Sequence, residues 1–184
     1  MRERAVSFDD YLRDLDQTLV IARASPATLT RVAQMHLRTN QFNLTTERYD
    51  AAAIKAMIED DRCVVLLGRA LDKFGDHGIV ICATARVDGG DATIQSFLMS
   101  CRVIGREVET TFLGELLKLL GERGAGRVQG AYIPTKKNDL VRDFYEKEGF
   151  SRLSSLGKTE VWGWDLSVAR PLPGSNLVKV QWEE

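Results

Sequence analysis

SCRVIGREVE, residues 100–109, is the stretch on which the reading of this chain turns. Strand-like text, ATIQSFLM at 92–99, runs into it. Beyond it Val108, Phe112, Leu116 and Leu119 recur at helical spacing until Gly124 supplies a stop. A strand therefore ends, a turn containing Gly105 follows, and a long helix begins. Free backbone N–H groups and the positive end of the helix dipole make such a junction a place for a phosphate or pyrophosphate. Gly105 allows the backbone to come close to it.

Downstream of that junction the chain reads as a strand (RVQGAYIP, 127–134), a helix (NDLVRDFYEKEG, 138–149) and further strand text (KTEVWGWDLSV, 158–168). Upstream lie RCVVLLGRAL, IVICATARV and ATIQSFLMSC, separated by the turn text LDKFGDHG and DGGD, which predicts an antiparallel meander. Before them come a helix capped by Asp50, the polar stretch TNQFNLTTERY (39–49), and a helix opened by Ser25-Pro26 with Leu29, Val32, Ala33, His36 and Leu37 on one face. TLVIARA (18–24) reads as the first strand. The order is α-β-α-α-β-β-β-α-β-α-β, an α+β layout. Residues 1–17 read as an N-terminal linking helix, 18–166 as one domain, and 167–184 as an irregular tail.

At 184 residues and 44% apolar content the chain can bury one ordinary core. A formal net charge of -1 points to neither nucleic acid nor an anionic membrane, so any phosphate site must be local. No apolar run approaches the roughly 18 residues of a membrane span, and MRERAVSFDD lacks the apolar core of a signal peptide, so a cytoplasmic protein is expected. Cys63, Cys82 and Cys101 are odd in number and scattered through strand text, which suits reduced thiols and no metal cluster.

DLDQT, residues 14–18, has the D-x-D-x-T form of the phosphatase nucleophile in the haloacid-dehalogenase class. Phe8, Tyr11, Leu12 and Leu15 recur at helical spacing, however, and on a helix Asp14 and Asp16 diverge by about 200°. Two carboxylates so placed cannot converge on one phosphate, and the phosphatase reading is set aside.

The spacing R-x-x-G-x over Arg102–Arg106 resembles the acyl-CoA loop, R/Q-x-x-G-x-G/A, of the GCN5-related N-acetyltransferase (GNAT) fold. N-x-x-V-R-D-F-Y-E-K-E-G-F at 138–150 resembles that fold's closing segment, and the element order matches. The resemblance implies a mixed, mostly antiparallel sheet in which the strands before and after the long helix splay apart, with the thioester arm of acetyl-CoA in the gap. It nominates Cys101, Arg102, Val103, Gly105, Arg106, Glu107, Val108 and Asn138 for the cofactor. Glu107 departs from the pattern: a second negative charge about 5 Å from a phosphate, at an effective dielectric near 20, costs roughly 3 kcal/mol. A carboxylate in a first helical turn also favours the helix dipole, so Glu107 has a structural explanation too.

RVAQMHLRTNQFNLTTERY (31–49), DKFGDHGIV (72–80), FLMSCRVIGREVE (97–109) and YIPTKKNDLVRDFYEKEGF (132–150) resemble the C-terminal region of FkbH-like glyceryltransferase/phosphatases, which load a glyceryl unit onto an acyl carrier protein for polyketide extender units. This implies an acyl carrier protein as partner, its phosphopantetheine in place of CoA, and a haloacid-dehalogenase-like domain encoded elsewhere. Tyr145 is then a general acid toward the leaving thiolate or an aromatic packing its helix on the sheet. Cys101 is an acyl acceptor beside Arg102 or a buried strand cysteine. Asn138 positions the arm or caps a helix. Asn40, Gln41, Asn43, Thr45 and Thr46 hydrogen-bond a small hydroxylated substrate or cap their own loop. Lys136 and Lys137 meet a phosphate or an acidic carrier surface, or are solvated. The competing functions are a stand-alone acetyl-CoA-dependent N-acetyltransferase of a small amine and a non-catalytic carrier-protein docking module.

Overall fold

The computed structural model describes residues 7–183. Ser7 caps α1 (Phe8–Asp14): its hydroxyl accepts the N–H of Asp10, whose carboxylate accepts the N–H of Ser7. Leu12 and Leu15 are buried, while Asp14 pairs with Lys73 and Asp16 with Lys179. The two carboxylates of DLDQT thus engage separate lysines. There follow β1 (Gln17–Arg23), α2 (Leu29–Arg38), β2 (Phe42–Asn43), α3 (Ala51–Glu59), β3 (Cys63–Asp72), β4 (Gly75–Asp88) and β5 (Asp91–Met99). The second half comprises α4 (Val108–Glu122), β6 (Arg127–Tyr132), α5 (Phe144–Lys147), β7 (Ser151–Leu156), β8 (Thr159–Asp165) and β9 (Val178–Trp182).

The sheet runs β7-β8-β6-β5-β4-β3-β1-β9, with β2 paired to β5 off that path. The expected meander is present as antiparallel β3–β4–β5, whereas β5–β6 and β1–β9 are parallel. One face is covered by α4 and α5, through Phe112, Leu116, Leu120, Phe144 and Tyr145. On the other, α2 and α3 bury Val32, Met35 and Ile54 against Val65, Leu67, Cys82 and Leu98. A Cβ on Gly68 would lie 2.4 Å from Ile81 and 3.2 Å from Phe112, so this glycine lets α4 cross close to the strands. No helix among the described residues is long and apolar enough to cross a membrane.

Four expectations are corrected. Ser25 does not cap α2: Ser25–Thr28 form a turn in which the Thr28 hydroxyl bonds back to Ser25, and the helix starts at Leu29. The segment 138–149 is not one helix but a 3-10 turn (Asp139–Val141) and the short α5, a break that lets Val141, Phe144 and Tyr145 all face the core. The text after it folds as the hairpin β7–β8 rather than a single strand. Part of the tail is ordered sheet: VKVQW alternates, and Gln17–Ile21 of β1 pairs in parallel with it.

The tail is held across α4 as well, since Trp182 Nε1 donates to Glu115 and the carbonyl of Pro173 sits over Gly114. A Cβ on Gly114 would stand 1.9 Å from that oxygen, whereas one on Gly121 of the same helix meets only Leu166 at 3.6 Å. Gly114→Ala is therefore expected to cost about 1–3 kcal/mol by overpacking and to lower Tm by several degrees. Gly121→Ala should be neutral or stabilising by up to about 1 kcal/mol through helix propensity. Equal melting temperatures for the two variants would show that the tail does not pack as described.

Candidate functional site

β5 and β6 pair only over Asp91–Ile94 and Arg127–Gly130, and then part. The splay implied by the resemblance is present, but the gap is not open. β2 pairs with β5 (Phe42 with Met99, Asn43 with Leu98), and the next residue, Leu44, donates its N–H to Phe97 at 3.1 Å. On the other side Ile133 N–H donates to the carbonyl of Leu44 at 2.8 Å. Phe42 and Leu44 are buried, Phe42 edge-on to Phe144 at 5.3 Å. Each such side chain contributes about 1.5–3 kcal/mol of burial, so this segment is a firm part of the fold.

Asn138 locks it there. Its amide donates to Asn43 O (2.9 Å) and Ile133 O (3.0 Å), and its Oδ1 accepts from Thr135 N (2.7 Å) and Oγ1 (3.0 Å). The side chain is fully buried and its polar groups are spent within the protein, so it positions β2 rather than a cofactor. Asn43 and Thr45 are likewise internal: Asn43 Nδ2 donates to Thr39 O and its Oδ1 accepts from Thr46 N, while Thr45 Oγ1 donates to Gln95 O. Asn40 and Gln41 line a cleft, Gln41 exposed and Asn40 with its Oδ1 accepting from Arg48 at 2.6 Å, while Thr46 is half-buried.

At the point where the strands part, Gln95 is an extra residue between the pairs Thr84–Ser96 and Ala85–Ile94, a β-bulge. Tyr145 packs on Gly130 of β6: its phenol stands 2.2 Å from where a Gly130 Cβ would be, and Gly130 closes the paired register with Ile94. The ring is 1% exposed, and neither its hydroxyl nor Gln95 Oε1 has a hydrogen-bond partner. Burial pushes the Tyr145 phenol up, making it a weaker acid than an ordinary tyrosine. Its packing against Gly130 is the aromatic role; the acid role would need access that its burial denies.

In the junction 100–109, Val103 and Val108 are buried anchors. Gly105 has φ +78°, and Glu107, which precedes α4, has φ +63°, the left-handed region that glycine occupies without strain. Arg106 is committed to the buried carboxylate of Asp72 at 2.9 Å, which His77 Nε2 also reaches at 2.7 Å. Burial opposes ionisation of Asp72, but the hydrogen bonds from His77 and the Phe74 N–H and the charges of His77 and Arg106 outweigh it and hold its pKa low. Glu109 and Glu148 gather at the same helix start. Burial raises both pKa values; the charge of Glu107 adds to each, that of Glu148 adds at Glu109, and the N–H groups of Glu109 and Gly105 and the hydroxyl of Thr110 pull the other way. A loop so furnished opposes a nucleotide diphosphate.

Cations collect on the far side of β5 instead. A cleft of about 700 Å³ lies between α2, the 39–42 segment, the end of β5 and the loop after β6, lined by Arg31, Arg38, Lys136 and Lys137 and by no acidic residue. Cys101 is exposed and lines it, whereas Cys82 is a core thiol that burial pushes up to about 12. Arg102 is exposed beside it, donating to Ser100 Oγ and His77 O. The sequence reading missed Arg31 and Arg38, although a spacing of seven places them on one face of α2. It also missed Gln95, whose bulge has no local signature. Among the described residues no group of three His, Cys, Asp or Glu side chains is placed to hold a metal ion.

A carboxyl group whose pKa is raised by folding supports the fold fully below its unfolded value, about 4.3, and loses that contribution as pH rises through the folded value. Glu109→Gln should therefore match the parent in urea denaturation near pH 4 and exceed it near pH 7.5. A constant difference across that range would show that folding does not raise the pKa of Glu109.

No family model and no curated protein sequence matches the chain. Its structure is similar to that of the ribosomal-protein-S18-alanine N-acetyltransferase of Escherichia coli, with a TM-score of 0.62 at 12% identity over 83% of this chain and 97% of that one. A GNAT-family acetyltransferase of Staphylococcus aureus gives 0.60 at 11% identity over 81% and 99%. The PaiA N-acetyltransferase of Thermoplasma acidophilum, solved with coenzyme A, gives 0.56 at 15% identity over 80% and 99%. The chain has the GNAT fold, with β2 built into the gap between its parted strands.

Proposed function

We propose that this chain is an acyltransferase-type domain that takes its acyl group from the phosphopantetheine arm of an acyl carrier protein, as its likeness to the C-terminal part of FkbH-like proteins implies. The observation that supports a carrier over CoA is the charge at the start of α4. Glu107, Glu109 and Glu148 stand where a diphosphate would need donors, and Arg106 is already paired with Asp72. A carrier-borne arm brings a single phosphodiester and no nucleotide, and so does not require that loop.

Cys101 is the nucleophile a thioester can reach without moving β2, because it is exposed at the end of β5 beside Arg102. Its thiolate would bond the acyl carbon as the carbon–sulfur bond to the arm breaks. The arm leaves as a thiolate and takes up the proton that Cys101 gave up. Tyr145 acts as general acid in this scheme only if its buried phenol becomes accessible. A second reading, a docking module without catalysis, is favoured by that same filled gap. The N-acetyltransferase reading requires acetyl-CoA at the acidic loop.

Intact-protein mass spectrometry separates the three. Mixing with glyceryl-loaded carrier protein is expected to add one acyl mass to the chain, lost in Cys101→Ala, while acetyl-CoA adds none. Glu107→Gly, which also relieves the left-handed backbone, should raise CoA affinity by roughly tenfold or more and leave carrier binding unchanged. Carrier binding without acyl transfer would leave the docking module. Acetylation of a small amine from acetyl-CoA, with no carrier binding, would sink the proposal.

A further inference from the structure

The basic cleft is unusual for a chain of net charge -1. Arg62, Arg69, Arg86, Arg106 and Arg127 are all in ion pairs; Arg31, Arg38, Lys136 and Lys137, which line the cleft, and Arg102 beside it are among the cations that are in none among the described residues. Arg31 donates one hydrogen bond, from Nη2 to Ile79 O at 2.9 Å, leaving most of its five N–H groups free. Burial, and then the charges of Arg102 and Arg38, lower the pKa of its guanidinium: like charges are held together here without a counter-ion. An anion between them would relieve that repulsion, and arginine forks match phosphate oxygens two at a time.

The rest of the lining suits an organic ligand rather than a bare ion. Met35, Phe42 and Met99 give an apolar floor, and Gln34 and Gln41 supply amides at the rim. The volume, about 700 Å³, is in the range of small-molecule sites.

We propose that this cleft is a phosphate-recognition site, holding a phosphate ester between Arg31, Arg38, Lys136 and Lys137 with its organic part on the apolar floor. In the carrier-protein reading, on which only the source of the phosphate depends, that ester is the head of the pantetheine arm. The arm then enters on the α2 side of the sheet, opposite the start of α4. A free phosphate monoester has the same recognition chemistry.

Calorimetry with 4′-phosphopantetheine, pantetheine, inorganic phosphate and phosphopantetheinylated carrier protein tests this. Phosphopantetheine is expected to bind at least tenfold more tightly than pantetheine, to be displaced by inorganic phosphate, and to weaken steeply with salt. Lys136→Ala/Lys137→Ala, both at exposed positions, and Arg31→Ala should each reduce affinity at least fivefold, while Lys118→Ala on α4 leaves it unchanged. Equal affinity for pantetheine and phosphopantetheine, or indifference to the cleft variants, would overturn the proposal. Carrier binding that ignores these cations would remove the phosphate site and leave the carrier reading standing. Phosphopantetheine binding without any carrier binding would do the reverse.

Discussion

The arrangement depends on four residue pairs. β5 and β6 share parallel hydrogen bonds only from Asp91–Arg127 to Ile94–Gly130, and everything functional follows from their parting there. Parallel strands that separate leave unpaired N–H and C=O groups on both inner edges, and buried backbone polar groups must find partners. Here they find them in the chain itself. β2 and Leu44 satisfy the β5 edge, Ile133 meets Leu44 across the gap, and the Asn138 amide ties the insert to the loop that follows β6. The structure therefore keeps the splay of the GNAT fold while closing the volume that the splay creates.

That closure directs attention to charge. On the α4 side, the helix start that would favour an anion through its free N–H groups is crowded by Glu107, Glu109 and Glu148, and its nearest arginine is neutralised by Asp72. On the α2 side, Arg31, Arg38, Lys136 and Lys137 surround a cleft without a carboxylate. The near-zero net charge of the chain conceals this division, because the two sets cancel in the sum and not in space. Electrostatic complementarity acts over about a Debye length, so it is the local set that a phosphorylated ligand meets.

Much of the fold was legible in the residues. The helical repeat of Val108, Phe112 and Leu116, the stop at Gly124, the Asp50 cap and the DGGD turn each carry their structure locally, and Asp50 does accept the N–H of Ala53. The tail was misread because VKVQW is short and follows Pro-rich text, although its alternation was there to see. The site was less legible. Asn43, Thr45 and Asn138 are polar residues of the kind that bind substrates, and no sequence pattern distinguishes an amide that serves a ligand from one that serves a buried backbone. Glu109 and Glu148 are 39 positions apart in sequence, and only folding gathers them with Glu107.

By itself, then, the sequence determined the main helices and strands, their order and the strand–turn–helix junction at 100–109, though not β2, the β7–β8 hairpin or β9, because periodicity, caps and turn residues act over a few positions. Only the tertiary structure decided that the gap is filled by Phe42–Thr45, that Tyr145 is sealed behind Gly130, and that cations from α2 and from the loop after β6 line one cleft. Those facts depend on contacts between segments some fifty to a hundred residues apart, such as Thr45 with Gln95 and Asn43 with Asn138, which leave no local signature.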